Sequence, residues 1–172
     1  MRNIELKVRC EDLEEVQESA LRLGANVAGV LEQTDLFFGA PQARLKLRLF
    51  GDGTGELIAY RRPDLPGARG SDYEIHPTTD PDSLRRVLEA ALELEGAVRK
   101  RRRLLLHRHT RIHLDEVDSL GDFVELETVI REQSEAEAHT ELTEIATALG
   151  LSTLPPIPGA YLDLLRAGGN GF

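Results

Sequence analysis

The chain has 172 residues, 41% of them hydrophobic, and a formal net charge of −9, which predicts one domain over residues 1–172 with its own core. The acidic balance argues against general binding of nucleic acid or of an anionic membrane, because a phosphate backbone is normally met by a basic domain. Cys10 is the single cysteine, so no internal disulfide can form, and no apolar run is long enough to cross a bilayer. We therefore expect a cytoplasmic protein.

Three amphipathic helices have recognisable beginnings. Asp12 and Glu15 have the spacing of a capping box, as do Ser134 and Glu137, and Pro81 suits a first helical position after an aspartate. Apolar residues follow each beginning at helical spacing, which predicts that all three helices pack on another layer. The apolar stripes comprise Leu13, Val16, Ala20 and Leu23; Leu84, Val87, Leu88, Ala91 and Leu92; and Leu142, Ile145, Ala146 and Leu149.

Between these helices the apolar residues recur at every second position, which is typical of strands. The candidate strands are Asn3–Cys10, Val27–Phe38, Ala43–Phe50, Glu56–Arg62, Asp72–His76, Val98–His109, Arg111–Val117 and Phe123–Ile130. Their mostly short connections favour antiparallel neighbours. We interpret Pro63–Gly70 as a mobile loop, Tyr161–Leu165 as a short segment after a proline-rich break, and Gly168–Phe172 as a frayed tail.

The charges on the strands form rows of a single sign. Leucines alternate with Arg44, Lys46 and Arg48 in one strand, and Glu125 and Glu127 alternate with apolar residues in another. A sheet with one solvated face would show the same alternation, but solvated faces usually mix the two signs. The rows instead predict an α+β fold in which an eight-stranded antiparallel β-barrel turns its charges inward around a ligand, with helices packed outside.

The two signs of charge predict two kinds of ligand. Clustered carboxylates raise one another's pKa unless a cation neutralises them, and hard oxygen ligands without cysteine favour Mg²⁺ or Mn²⁺. Rows of lysine and arginine suit an anion with many oxygens, such as a polyphosphate. A metal-bound triphosphate satisfies both demands, because the cation can bridge carboxylates and phosphate oxygens.

Five segments, in this order, resemble the CYTH family, also called triphosphate tunnel metalloenzymes. They are Asn3–Lys7, Arg44–Arg48, Lys100–Arg102, Arg111–Asp115 and Phe123–Glu127. The family includes class IV adenylyl cyclases, thiamine triphosphatases and inorganic triphosphatases. The resemblance covers nearly the whole chain and implies an eight-stranded antiparallel tunnel with helices outside. Because family members often form dimers, it also implies a homodimer.

The resemblance also implies roles for single residues. It places Glu5, Asp115, Glu125 and Glu127 at the metal sites and in catalysis. The family's opening signature alternates two glutamates before the lysine, and Asn3 stands in place of the first. Asparagine can coordinate through its carbonyl oxygen but carries no charge, so the general base and the number of metal ions stay open.

The triphosphate would be held by basic residues. The resemblance implies contacts from Lys7, Lys46, Arg48, Lys100 and Arg102. Arg61 stands where the family often has another basic residue. Its odd-numbered position, however, puts it on the same face of the strand as the apolar Leu57 and Ala59. Arg111 lies on the inward row by parity and is a further candidate, and His113 on that row either touches the site or is a hydrogen-bonded barrel side chain. A nucleic-acid patch at Arg99–Arg103 is disfavoured, because the two faces of a strand divide this run.

Three functions fit these features. The leading hypothesis is metal-dependent hydrolysis of a triphosphate, either inorganic tripolyphosphate or an organic one such as thiamine triphosphate. The second is adenylyl cyclase activity, in which the ribose 3′-hydroxyl of ATP is the nucleophile and pyrophosphate leaves. The third is a module that binds polyphosphate or nucleotide without catalysis, which the uncharged Asn3 keeps open.

Overall fold

The strands of alternating apolar and charged residues form a sheet that closes into a barrel. The computed structural model describes residues 1–61 and 67–168. The strands are β1 Arg2–Arg9, β2 Asn26–Phe38, β3 Arg44–Phe50, β4 Gly55–Arg61, β5 Arg69–Thr78, β6 Leu94–His107, β7 Thr110–Val117 and β8 Gly121–Ile130. They form a closed antiparallel barrel in the order β1-β5-β4-β3-β2-β6-β7-β8. The predicted α+β barrel is therefore confirmed.

Pairing between the first and last strands closes the barrel. In this pairing Glu5 lies opposite Glu127, and Lys7 lies opposite Glu125. Closure leaves no sheet edge and gives the strands one shared interior. The register therefore brings residues from opposite ends of the sequence into the same enclosed space.

The described part of the chain contains four helices outside the barrel: α1 Leu13–Arg22, α2 Pro81–Ala91, α3 Glu135–Ala148 and α4 Tyr161–Gly168. The predicted beginnings of the first three are confirmed. The Asp12 and Asp80 side chains accept hydrogen bonds from the backbone of α1 and α2. Ser134 and Glu137 form a reciprocal capping box at α3. These side chains pair backbone N–H groups that the first helical turn leaves without a partner.

The apolar faces of the strands point outward into the cores beneath these helices. Ile112 and Leu126 are fully buried in one cluster with Leu142 and Ile145 of α3. Leu47 of β3 packs with leucines of α2, and α4 covers a third cluster. Burial of each such side chain stabilises the fold by about 1.5–3 kcal/mol. Charges are thereby left on the inner face, as the alternation predicted.

Several predicted boundaries differ from the structure. β5 begins at Arg69, so the predicted loop Pro63–Gly70 ends in a strand, and residues 62–66 lie outside the described part of the chain. β6 begins at Leu94, not at Val98, because β2 continues to pair with it through a register shift near Phe38. The predicted segment at 161–165 is helix α4, and residues 169–172 of the predicted tail lie outside the described residues.

Two expectations concern the chain as a whole. The assignment of residues 1–172 to one domain stays a prediction. Among the described residues, none of the helices is both long and apolar enough to cross a membrane.

Candidate active site

The inner faces of the strands enclose a cavity of about 280 Å³. This is close to the lower end of the range of about 300–1,000 Å³ that small-molecule sites occupy. Most of the side chains predicted for the site line it. They are Glu5, Lys7, Lys46, Arg48, Lys100, Arg102, Arg111, Glu125 and Glu127. Both signs of charge therefore meet in one enclosed space.

Two predicted residues are not brought to this cavity. Arg61 is exposed at the end of β4 and donates a hydrogen bond to the Gln42 carbonyl oxygen at 2.9 Å. The even-numbered residues of β4 line the cavity, so Arg61 has outward parity. Asp115 is fully buried behind the lining. The phosphate role of Arg61 and the metal role of Asp115 stay predictions.

One carboxylate holds three cations on the basic side of the cavity. Asp35 accepts two hydrogen bonds from Arg48, at 2.7 and 2.9 Å, one from Lys46 at 3.1 Å and one from Lys100 at 2.8 Å. β2 lies between β3 and β6 in the sheet, so their inward side chains converge on it. We call Asp35, Lys46, Arg48 and Lys100 the Asp35 cluster. The fold therefore holds the three cations Lys46, Arg48 and Lys100 in place around one anionic group.

Burial and charge act in opposite directions within the Asp35 cluster. Burial disfavours the ionised form of Asp35, but the positive charges of Arg48, Lys100 and Lys46 outweigh it and hold the pKa of this carboxyl well below its usual value. Burial lowers the pKa of Lys100 to about 7, and Asp35 only partly offsets this. Burial, reinforced by Arg48, lowers the pKa of Lys46 to about 8. The pKa values of the two lysines therefore lie at or just above neutral pH.

Arg102 joins the acidic side of the cavity to Asp115 behind its lining. Its guanidinium donates two hydrogen bonds of 2.6 Å to Asp115 and one of 2.9 Å to Glu125. The Tyr161 hydroxyl at the start of α4 donates a further hydrogen bond to Asp115 at 2.8 Å. Both oxygens of Asp115 thus accept hydrogen bonds, and its immediate role is to orient Arg102.

The acidic side of the cavity combines two carboxylates with an imidazole. Nδ1 of His113 lies 3.7 Å from Oε2 of Glu125 and 3.9 Å from Oε1 of Glu127. Potential ligand atoms of these residues lie within 4.8 Å of one another. Lys7 is 3.2 Å from Glu125, and Arg111 is 3.7 Å from Glu127. We call His113, Glu125 and Glu127 the acidic cluster.

The protonation of the acidic cluster suits a divalent cation. Burial acts to raise the pKa of Glu125, but the positive charge of Lys7 helps to hold it well below its usual value. Burial and the charge of Arg102 lower the pKa of His113, so its ring is neutral near pH 7 and offers a lone pair. Nδ1 of His113 has no hydrogen-bond partner among the described residues. Two carboxylates and an unpartnered imidazole nitrogen fit the donor set of a metal ion.

Sequence reasoning missed three features of the site. The first is Asp35, which shares the parity of Gln33, a cavity residue, while Leu36 and Phe38 pack outside. The second is Tyr161, which reaches the cavity only through the docking of α4. The third is an apolar wall formed by Ile58, Tyr60, Tyr73 and Ile75 of β4 and β5. Parity could have found Asp35, whereas β4 is apolar on both faces and gives no such signal.

Comparison with known proteins gives relatives over most of the chain. A Methanocaldococcus jannaschii protein, named provisionally as an adenylate cyclase, is 25% identical over 172 residues, covering 95% of this chain and 98% of that protein. A solved structure from Pyrococcus horikoshii matches with a TM-score of 0.83 and 23% identity, covering 94% of this chain and 98% of that one.

A third relative has a reported activity. A Hippeastrum protein, described as a provisional adenylyl cyclase that reveals a dominant triphosphatase activity, matches with a TM-score of 0.65 and 18% identity over 96% of each chain. The CYTH domain family model matches residues 1–161. Since that match covers most of the sequence, and since the barrel with its charged interior agrees with it, the chain belongs to the CYTH family.

Proposed function

We propose that this protein is a metal-dependent enzyme that hydrolyses a triphosphate. One observation carries the proposal: the Asp35 cluster and the acidic cluster face the same cavity, which Arg102 also lines while it donates a hydrogen bond to Glu125. A phosphate chain needs the first cluster and its metal ion needs the second. Enzymes of the CYTH family depend in general on a metal ion.

The basic side would bind the phosphate chain. Lys46, Arg48 and Lys100 already converge on one anionic group, Asp35, so phosphate oxygens can share the same donors. Guanidinium and ammonium groups in a buried site form strong charge-assisted hydrogen bonds with phosphate. The same groups would meet the negative charge that develops on the leaving phosphate. Binding and stabilisation of the transition state would thus use one set of side chains.

The acidic side would hold the metal. Glu125 and Glu127 would ligate Mg²⁺ or Mn²⁺, which when bound polarises a phosphoryl oxygen and lowers the pKa of a bound water. Glu5 lies opposite Glu127 in the β1–β8 pairing, and it would orient the attacking water and accept its proton. The oxygen of that water bonds to the terminal phosphorus as the bridging P–O bond breaks. Phosphoryl transfer of this kind requires no covalent nucleophile.

Adenylyl cyclase activity is the second candidate, and the apolar wall favours it. Ile58 and Tyr60 are buried on the cavity side of β4, beside Tyr73 of β5. Inorganic tripolyphosphate has no apolar group to place against this wall, whereas a nucleoside has a planar base that can stack on an aromatic ring. The name of the Methanocaldococcus relative points in the same direction. In this reaction the ribose 3′-hydroxyl attacks the α-phosphorus and pyrophosphate leaves.

One assay separates the candidates. The purified protein is incubated with tripolyphosphate, thiamine triphosphate or ATP, each with Mg²⁺ or Mn²⁺, and the products are identified. Release of orthophosphate is the expected result. Formation of cyclic AMP and pyrophosphate from ATP would instead identify the protein as an adenylyl cyclase. Binding of these compounds without turnover would overturn both reactions and leave a binding module.

A further inference from the structure

His113 has a buried nitrogen with which no described residue forms a hydrogen bond. The residue is 4% exposed, on the inward face of β7, and its Nδ1 has no hydrogen-bond partner among the described residues. A buried polar atom without a partner costs about 1–3 kcal/mol, so such atoms are uncommon and call for a ligand or a functional reason. The neighbouring carboxylates, at 3.7 and 3.9 Å, are too far away to be hydrogen-bond acceptors.

These separations lie within the range spanned by atoms that share a metal ion. Ligand atoms at about 2.1 Å from a six-coordinate cation lie about 3 Å apart when adjacent and about 4.2 Å apart when opposite. The distances from Nδ1 of His113 to Glu125 and Glu127 fall between these two values. The three residues come from adjacent strands in register, His113 opposite Glu125, so the barrel itself fixes the arrangement.

We propose that His113 is a nitrogen ligand in the metal site, and that it makes this site prefer Mn²⁺ to Mg²⁺. The inference rests on the proposed metal-dependent function and adds the identity of the ion. Mg²⁺ is a hard cation that takes oxygen ligands almost exclusively, whereas first-row transition ions accept imidazole as well as carboxylate. A site with one nitrogen and two carboxylates therefore selects against Mg²⁺ without excluding it.

The test measures binding and coordination directly. Mn²⁺ and Mg²⁺ are titrated into the protein by calorimetry, and the Mn²⁺ complex is examined by pulsed electron paramagnetic resonance for coupling to a histidine nitrogen. His113→Asn places an oxygen near the position of Nδ1. We expect this variant to bind Mn²⁺ at least about tenfold more weakly, to bind Mg²⁺ with little change, and to lose the nitrogen coupling.

His109→Asn is the matched control. The His109 ring also lies beside a glutamate, with Nδ1 at 3.1 Å from Glu141, but it is half exposed outside the cavity. This variant is expected to bind both ions as the unmodified protein does and to keep the coupling.

Each result decides between the two proposals. Mn²⁺ bound without nitrogen coupling, or an unchanged ratio of Mn²⁺ to Mg²⁺ affinity in His113→Asn, would overturn the role of His113. The proposed hydrolysis would stand in that case if triphosphate were still cleaved. Absence of binding of either ion, with and without tripolyphosphate, would overturn both.

Discussion

The two sides of the cavity solve the problem of buried charge in different ways. In the Asp35 cluster each cation lies within 3.1 Å of one carboxylate, so the folded chain supplies its own counter-ion. In the acidic cluster the distances to His113 are 3.7 and 3.9 Å, and its Nδ1 is unpartnered among the described residues. The short distances within the Asp35 cluster indicate hydrogen-bond donors that the protein itself pre-organises. The long distances within the acidic cluster indicate a site that needs a bound ligand to pair its polar atoms.

This difference affects how each side of the cavity responds when a phosphate or a cation binds. Asp35 offsets repulsion among Lys46, Arg48 and Lys100 when no phosphate is bound, and it must then share them when one binds. Among the described residues, the cations in contact with the carboxylates of the acidic cluster are Lys7, Arg102 and Arg111. Each also donates a hydrogen bond to another group, namely the Gly159 carbonyl, Asp115 and the Tyr73 hydroxyl. The basic side should therefore depend on Asp35 for its stability, and the acidic side on a cation for its activity.

The largest expected effect follows from removing the charge of Asp35. Asp35→Asn should lower the free energy of unfolding by about 3–5 kcal/mol at pH 7, because it leaves buried cations without their anion. Tripolyphosphate should restore more stability to this variant than to the unmodified protein. Urea unfolding with and without tripolyphosphate measures both. The control is Glu144→Gln, which breaks an exposed pair with Arg108 and should cost less than about 1 kcal/mol; equal losses in the two variants would refute the role given to Asp35.

The next effect concerns the acidic cluster. Glu127→Gln should lower kcat for triphosphate cleavage at least about 100-fold, because an amide is a weaker metal ligand and carries no charge. Circular dichroism should show an unchanged fold, since the ion-pair contacts of Glu127 with other described residues are long, 3.7 Å to Arg111 and 3.9 Å to His113. Glu116→Gln alters an outward glutamate of β7 that pairs with Arg101, and it should keep full activity. Full activity in Glu127→Gln would contradict the metal assignment.

A smaller effect is expected on the basic side. Arg48→Ala should weaken binding of tripolyphosphate about 10- to 100-fold, corresponding to about 1.5–3 kcal/mol for hydrogen bonds to a charged group. Calorimetric titration measures the change. Arg101→Ala removes an arginine from the outer face of β6 and serves as the control. If Arg48→Ala and Arg101→Ala bind equally well, the phosphate chain does not contact the Asp35 cluster.

Much of this contrast could be predicted from the sequence, because alternate residues of a strand point to opposite faces and the sequence alone shows which residues alternate. The alternation around Lys46 and Glu125 fixed which residues face inward, and single-sign rows required an enclosed space. The role of Asp35 was missed although its parity was readable, since the sequence showed no sign that three cations from β3 and β6 would converge on it.

Other parts depend on contacts that the sequence does not reveal. Tyr161 reaches Asp115 across 46 positions of the chain, through the docking of a helix that the pattern predicted only as a short segment. Leu57 and Ile58 are both apolar, yet only Ile58 lines the cavity, so period two could not identify the apolar wall. Strand ends such as that of β6 were set by pairing with β2 and not by local preference.

The smallest effect is a dependence on pH that should distinguish the two sides. The pKa of Lys46 is lowered to about 8 and that of Lys100 to about 7, and protonated lysines bind phosphate more strongly than neutral ones. Loss of the Lys46 proton alone should raise the dissociation constant of tripolyphosphate about tenfold between pH 7 and pH 9, with proton uptake on binding. The unfolded chain binds more protons than the folded one in this window, so these lysines make the free energy of unfolding rise with pH.

Lys46→Arg keeps its charge up to pH 9 and should flatten the dependence of the affinity on pH. An unchanged dependence in this variant would show that another group titrates. Calorimetry in two buffers of different ionisation enthalpy measures the affinity and the proton uptake together.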